Sequence, residues 1–532
     1  MSAYSGTGAL LRLAWRRDRL LVPLGAAAIA GIAVSSAKAT LALYPTAESL
    51  GGAIGEIFAS PAAVALYGPV GNPASVDSIA VAKMTMMGAV FLSLFGYAVV
   101  RRHTRSEEED GRFELVGAGV VGRRAPLTAA VAVATAAVLA TCLLTGLGYA
   151  AIGMDVAGSL AAAAGWAATG LAFVGLAAVA AQLASTARGC AGLTMGALGV
   201  LFLLRAIADA GTGVPGWLGW VSPVGWTSKA EAFGADRSWV VFLGVGLLAV
   251  CLVAAFALLQ RRDLGAGLLP ARRGRANAGA TLAGPVGLAW RLGRSSTIGW
   301  TVGMLVGGLV IGSLAKSAMD MFADPAIADL LRKMGGGVGL LSDVYLSTEL
   351  GFIAIIAAAY GVTTVLRWRA EETQGHTELV LATADSRTRY AASHLLVALL
   401  GTAALVFALG LGTVLADASG GGTLGGAGRV LPAALIRLPA VWVCVGVAVA
   451  AIGWFPRWTA AIGWGALAFF LVVGEFGGVF GMPQWLMDLA PFTHVPRMPV
   501  EAFAWPPTIA LTAVAAGLCI VGVLGFRRRD IG

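Results

Sequence analysis

Long apolar stretches dominate the chain, each near the roughly 20 residues a helix needs to cross about 30 Å of hydrocarbon. Twelve can be counted in the sequence. Six lie near residues 20–37, 78–100, 125–152, 157–185, 190–210 and 238–260; six more lie near 297–315, 347–366, 390–416, 430–454, 459–481 and 507–526. With 58% of 532 residues hydrophobic and only 12% charged, the chain carries more apolar surface than one soluble core could bury. The expected class is an all-α polytopic membrane protein with twelve transmembrane helices.

The net charge of +9 does not form a nucleic-acid patch, because the basic residues sort by side of the membrane. Arg12, Arg16, Arg17, Arg19, the loop 101–124, Arg188, the loop 261–294, the loop 367–389, Arg457 and Arg527 to Arg529 fall on one side, 26 of the 37 lysines and arginines. The positive-inside rule makes that side cytoplasmic, so both termini are expected inside the cell membrane. A basic start, an apolar run and the small residues SSAKA resemble a signal peptide. Against this, LAWRR at Leu13 to Arg17 recurs as LAWRL at Leu288 to Leu292, where no leader can stand. The five cysteines share no metal or redox spacing and read as packing residues.

Three landmarks recur in the same order. LAWR precedes both the first and the seventh span. EEEDGRFELV at Glu107 to Val116 returns as EETQGHTELV at Glu371 to Val380, each just after an apolar span. WLGWVSP at Trp217 to Pro223 returns as WLMDLAP at Trp485 to Pro491, and each is followed by EAF. The expected plan is two parallel six-helix repeats, residues 1–263 and 290–532, joined by a cytoplasmic linker at 264–289 and related by a pseudo-two-fold axis along the membrane normal. The outer loops 38–77 and 316–345 are too polar to span and are expected to form small external caps.

No phosphate-gripping G-x-x-x-x-G-K-[ST] loop occurs, nor any Gly-Lys pair. His103, His376, His394 and His494 are scattered, with no HExxH and no nucleophile elbow. The chain therefore reads as a transport subunit rather than an enzyme, with no metal and no cofactor of its own. Its acidic cassette has two readings: a solvated loop whose carboxylates pair with nearby arginines, or a short helix that docks a partner. Two copies in register favour the second.

The EE-x-x-G-x-x-EL cassette, the duplicated plan, the WL-x-x-x-[SA]-P motif and the missing phosphate loop together resemble the permeases of ATP-binding-cassette exporters of the type-two class. The likeness is to the fused twelve-span form of the actinobacterial tetronasin and polyketide antibiotic exporters. It implies that Glu107, Glu108, Gly111, Arg112 and Glu114, with Glu371, Glu372, Gly375 and Glu378, form or flank coupling helices. Two copies of a separate ATPase subunit, carrying ATP and Mg, would sit on them. The segments around Trp15 and Trp290 would be interfacial helices in the inner leaflet. Trp217, Pro223, Trp485 and Pro491 would belong to re-entrant helices closing the pathway outside. Gln374 and His376 stand where the first copy has Asp110 and Arg112, so the two docking sites are expected to differ.

Met84, Met87, Phe91 and Phe95 share one face of the second span; Phe202, Phe352, Phe469, Phe470 and Phe476 add aromatics on other spans. They read either as an adaptable lining for a small hydrophobic substrate or as packing and lipid-facing side chains. Lys83, Arg205, Asp209 and Glu475 are charges at membrane depth. Arg205 and Asp209 can pair at i, i+4; an Arg205 to Glu475 pair would instead make an outer gate. The function expected is ATP-driven export of a hydrophobic or amphiphilic compound. A proton-coupled twelve-span multidrug transporter is the alternative, and a membrane scaffold for an ATPase is a third reading.

Overall fold

The computed structural model describes the chain apart from residues 1, 45–60, 118, 212–213, 264, 270–276, 278, 280–281, 283, 323–337, 384, 420–425, 477–481 and 531–532. For 61–62, 115–117, 314–322, 338–342, 344–345, 419 and 475–476 it describes the backbone alone. Helix accounts for 80% of the structure, and no strand occurs among the described residues. Two compact units, Met1–Arg273 and Gly274–Gly532, divide the chain within the stretch read as a linker.

The first unit runs α1 (Thr7–Asp18), α2 (Leu21–Leu43), α3 (Pro61–Tyr67), α4 (Val76–Arg102), α5 (Arg105–Glu109), α6 (Arg112–Gly117), α7 (Ala125–Ala151), α8 (Val156–Leu183), α9 (Ala187–Ala210), α10 (Leu218–Val221), α11 (Trp226–Lys229) and α12 (Val241–Gln260). Side-chain caps set several starts: Ser75, Asp155 and Thr186 accept the backbone N–H groups of Ser78, Gly158 and Gly189. At the centre lies α8, with 72% of its most apolar window buried, packed against α4, α7 and α12.

The second unit runs α13 (Pro285–Phe322), α14 (Val338–Thr373), α15 (His376–Leu381), α16 (Arg387–Ser419), α17 (Ala427–Leu435), α18 (Leu438–Trp454), α19 (Thr459–Phe476), α20 (Gln484–Met487) and α21 (Trp505–Arg528). The apolar run Ala427–Trp454 is again 72% buried, and α18 packs on α21 and α14. Helices α13 and α16 meet backbone to backbone. A Cβ on Gly308 would lie 2.1 Å from the Leu409 carbonyl oxygen, and one on Gly412 would lie 2.1 Å from that of Leu305. Such small-residue crossings let helices approach where no water drives them together.

Eleven helices among the described residues are long and apolar enough to cross a membrane, so the chain is a multi-pass membrane protein. The expected span at 459–481 is the exception, a shorter apolar helix over Thr459–Gly474, with 477–481 outside the described residues. Much of the expected external caps also lies outside them, leaving α3, the segment 68–75 that follows it and the ends of the flanking helices.

The entry segments differ between the units. In the first, α1 stops at Asp18 and α2 restarts at Leu21, whereas α13 carries both segments as one helix of 38 residues. Pro23, third residue of α2, explains the break: it has no N–H to donate, and its ring would clash with the carbonyl one turn earlier. Aligning Trp15 with Trp290 puts Ile298 at the matching place, which imposes no such break. Trp15 and Trp290 are both exposed, as interfacial segments require.

Candidate functional site

Each acidic cassette folds as helix, glycine turn, helix. In the first unit α5 ends at Glu109, Gly111 takes φ +70°, and α6 follows; in the second α14 runs through Glu371 and Glu372, Gly375 takes φ +75°, and α15 follows. The first unit interrupts its helix at His103 and Thr104, where the Thr104 hydroxyl donates to the Val100 carbonyl at 2.7 Å, a local bond that competes with helix continuity.

The two glutamates of each pair do different things. Glu108 is buried between two arginines: Arg105 Nη1 lies 2.7 Å from Oε2, and Arg262 grips both oxygens at 2.6 and 3.1 Å. Glu372 repeats this, with Arg369 Nη1 at 2.8 Å and Arg529 Nη2 in close contact. Side-chain exposure is 5% for Glu108 and 8% for Glu372. Arg262 and Arg529 lie just beyond or at the end of the last helix of their units, α12 and α21. A further arginine secures each end: Arg123 donates to the carbonyls of Leu259 and Arg262, and Arg387 to those of Arg527 and Arg529.

Glu107 and Glu371 turn toward the second half of the cassette. Glu107 contacts Arg17 of α1 and lies 3.3 Å from Arg112, and Glu371 lies 2.9 Å from His376 Nδ1. Burial lowers the Arg17 pKa, and the neighbouring positive charges of Arg102 and Arg112 push it further down. Behind it, buried Asp18 meets Arg102 at 2.9 Å and His103 at 2.6 Å. Glu114 and Glu378 are exposed, take no part in the described ion pairs, and stand beside exposed Arg112, His376 and Leu379. Of Leu115 and Val116 only the backbone is described.

The first cassette has extra anchors on helix ends. Arg105 donates to the Ala181 carbonyl and, at 3.5 Å, to that of Gln182, in the last turn of α8. Glu109 accepts the N–H of Ala187, first residue of α9, at 2.9 Å. Both match the helix macrodipole, a cation at a C-terminus and an anion at an N-terminus. The second cassette instead leans on an aromatic cluster: Trp368, fully buried, stacks on His394 at 5.8 Å and meets Phe526 edge-on at 4.8 Å. Tyr390 closes it, its hydroxyl 3.0 Å from that of Thr377 in α15.

The residues read as a possible pathway have different surroundings within each unit. Met84 and Phe95 pack into the core of the first unit, whereas Met87 and Phe91 are exposed. Phe202 is half-buried beneath the Arg205 guanidinium, 4.6 Å from its ring centre. Phe352 and Phe469 are exposed, and Phe470 packs against Ile355, Val441 and Leu467. The Phe476 side chain lies outside the described residues. Within the second unit a cavity of about 700 Å³ opens beside buried Arg437, with Ser347, Gly351, Met487, Phe492 and Arg497 among its lining.

Arg205 pairs with Asp209 at 3.5 Å and donates to the carbonyls of Val64 and Ala65 in α3; Lys229 also reaches Asp209, at 3.5 Å. The Glu475 side chain, its other proposed partner, lies outside the described residues. The WL-x-x-x-[SA]-P segments form four-residue helices in both units, each with an exposed tryptophan (Trp217, Trp485) and a buried proline (Pro223, Pro491).

The sequence signal for Arg262 and Arg529 is a fourth recurring landmark: RRDLG at Arg261 to Gly265 returns as RRDIG at Arg528 to Gly532.

The sequence model for the family described as multidrug efflux system permease Rv1217c, C-terminal domain, matches residues 10–261 and 282–527. Over 542 residues the chain is 40% identical to the multidrug efflux system permease protein Rv1217c of Mycobacterium tuberculosis (strain ATCC 25618 / H37Rv), spanning 100% of this chain and 96% of that protein.

Proposed function

Because this chain belongs to the Rv1217c multidrug efflux permease family, we propose that it is the membrane-spanning subunit of an ATP-driven exporter of hydrophobic or amphiphilic compounds. Two copies of a separate ABC ATPase subunit, holding ATP and Mg, dock on the two cassettes. Their closure drives alternating access between two six-span halves, and both chain termini are cytoplasmic. Polyketide-like antibiotics are the substrate class that the sequence resemblance favours.

The observation that carries this reading is the repeated cassette. In each unit a glycine turn and a short helix present an exposed glutamate, Glu114 or Glu378, while a buried glutamate, Glu108 or Glu372, held by two arginines, secures the segment from behind. A solvated loop needs no such buried support in two copies, whereas a surface loaded by a motor does. Exposed Glu114, Arg112, Glu378, His376 and Leu379 are assigned to the docking faces.

The test is reconstitution into vesicles with and without a co-expressed ABC ATPase. Substrate-stimulated ATP hydrolysis and ATP-dependent drug uptake into inverted vesicles, both lost without the ATPase, are the expected result. Drug transport by the chain alone, driven by an ion gradient, would overturn it in favour of a proton-coupled transporter.

A further inference from the structure

We infer that Glu108 and Glu372 are positioning residues rather than docking contacts. Each clasps its cassette to the end of the last helix of its own unit, so that load on the cassette is carried into α12 or α21. The inference deepens the ATP-driven reading and rests on it for the source of the load.

Accessibility comes first. A partner surface cannot reach carboxylates that are 5% and 8% exposed and already held by two guanidinium groups each. Charge comes second. Taking ions out of water is costly, and the cost is met only where partners are close and remaining donors are satisfied. Both conditions hold in the first unit. Glu108 accepts from Arg105 at 2.7 Å and from Arg262 in the paired geometry that a guanidinium fork offers a carboxylate. The remaining Arg105 and Arg262 donors reach the carbonyl of Ala266 at 3.0 and 3.1 Å, and Arg262 Nε reaches Gln182 Oε1 at 2.8 Å.

Recurrence is the third support. Arg105, Glu108, Arg123 and Arg262 find counterparts in Arg369, Glu372, Arg387 and Arg529: each glutamate again pairs with one arginine of its own helix and one at the last helix end, and a further arginine again holds that end by its carbonyls. Each arrangement joins three stretches of chain: the cassette, the start of the helix that follows it, and the end of the last helix. A contact that merely neutralised a stray carboxylate would not need to join the same three in both units.

The experiment uses the full chain in nanodiscs, alone and with its co-expressed ATPase. In hydrogen exchange, Arg262→Gln should remove amide protection from 105–111 and leave 369–375 unchanged; Arg529→Gln should do the reverse. In the complex, both variants should still co-purify with the ATPase but lose drug transported per ATP hydrolysed, with partial recovery in Arg262→Lys and Arg529→Lys. Should a Gln variant fail to fold, its Lys variant, which keeps the charge but loses the guanidinium (at Arg262, its two-point grip), gives the same comparison at smaller amplitude. Unchanged exchange in the cassettes overturns the clasp. So does loss of co-purification with exchange unchanged, because the glutamates would then serve docking. If the unmodified chain binds no ATPase, the ATP-driven reading falls while the exchange measurement still decides the clasp.

Discussion

Substituting the two cassette glycines isolates a single physical term. Gly111 and Gly375 sit at φ +70° and +75°, and a Cβ added to either would find no heavy atom within 4 Å. Alanine there meets no steric neighbour, so its cost is the left-handed backbone itself, about 1–2 kcal/mol for an L residue. Alanine also restricts the unfolded chain, which returns about 0.4–1 kcal/mol. The net is about 1 kcal/mol, or roughly a fivefold shift away from the turned cassette. Valine, branched at Cβ, should cost more, and asparagine, which tolerates this region, less. Hydrogen exchange over Arg112–Gly117 and His376–Leu381 reads the shift directly, and drug transport reads its consequence. The expected order of protection is Gly, Asn, Ala, Val at either position, with the two sites acting additively. If Gly375→Ala matched the unmodified protein, or Gly375→Asn were as damaging as Gly375→Val, the turn would not be set by backbone conformation and the reasoning would fail.

Three further outcomes are expected. Gly88→Ala places a Cβ 1.7 Å from the Trp166 ring, which is 3% exposed and has little room to withdraw; the loss should exceed about 1–3 kcal/mol, seen as a lower unfolding midpoint in detergent. Trp368→Ala empties the aromatic cluster under the second cassette and should cost about 3–5 kcal/mol, with Trp368→Phe recovering much of it in the same assay. Glu114→Lys combined with Glu378→Lys changes only exposed groups, so stability should hold within about 0.5 kcal/mol while ATPase co-purification falls; intact co-purification would remove these glutamates from the docking face.

Spans and cassettes were legible because membrane insertion and helix turns impose strong, local patterns: twenty apolar residues, or a glycine three places after a glutamate pair and three before Glu-Leu-Val. The clasp was not. In the sequence Arg262 and Arg529 read as charges that orient the chain in the bilayer, and a residue's side of the membrane says nothing about which carboxylate it grips. Their partners lie 154 and 157 positions away in sequence, so no periodicity links them. Likewise Met84, Met87, Phe91 and Phe95 share a helical face by spacing, yet packing divides them, because α2 covers Phe95 near Gly25 while Met87 stays exposed. Arg437, beside the 700 Å³ cavity, sits within an apolar run and belongs to no repeated motif that would single it out.

The two entry segments differ in form: with Pro23 the first is jointed, and without an equivalent proline the second is a single rod. A transporter assembled from two identical chains could not make that distinction, since any mutation would appear on both sides at once. Carrying two cassette-bearing units on one gene lifts that constraint. Each unit can drift separately, one toward a hinge and the other toward a lever, and selection can adjust the timing of one side without disturbing its twin.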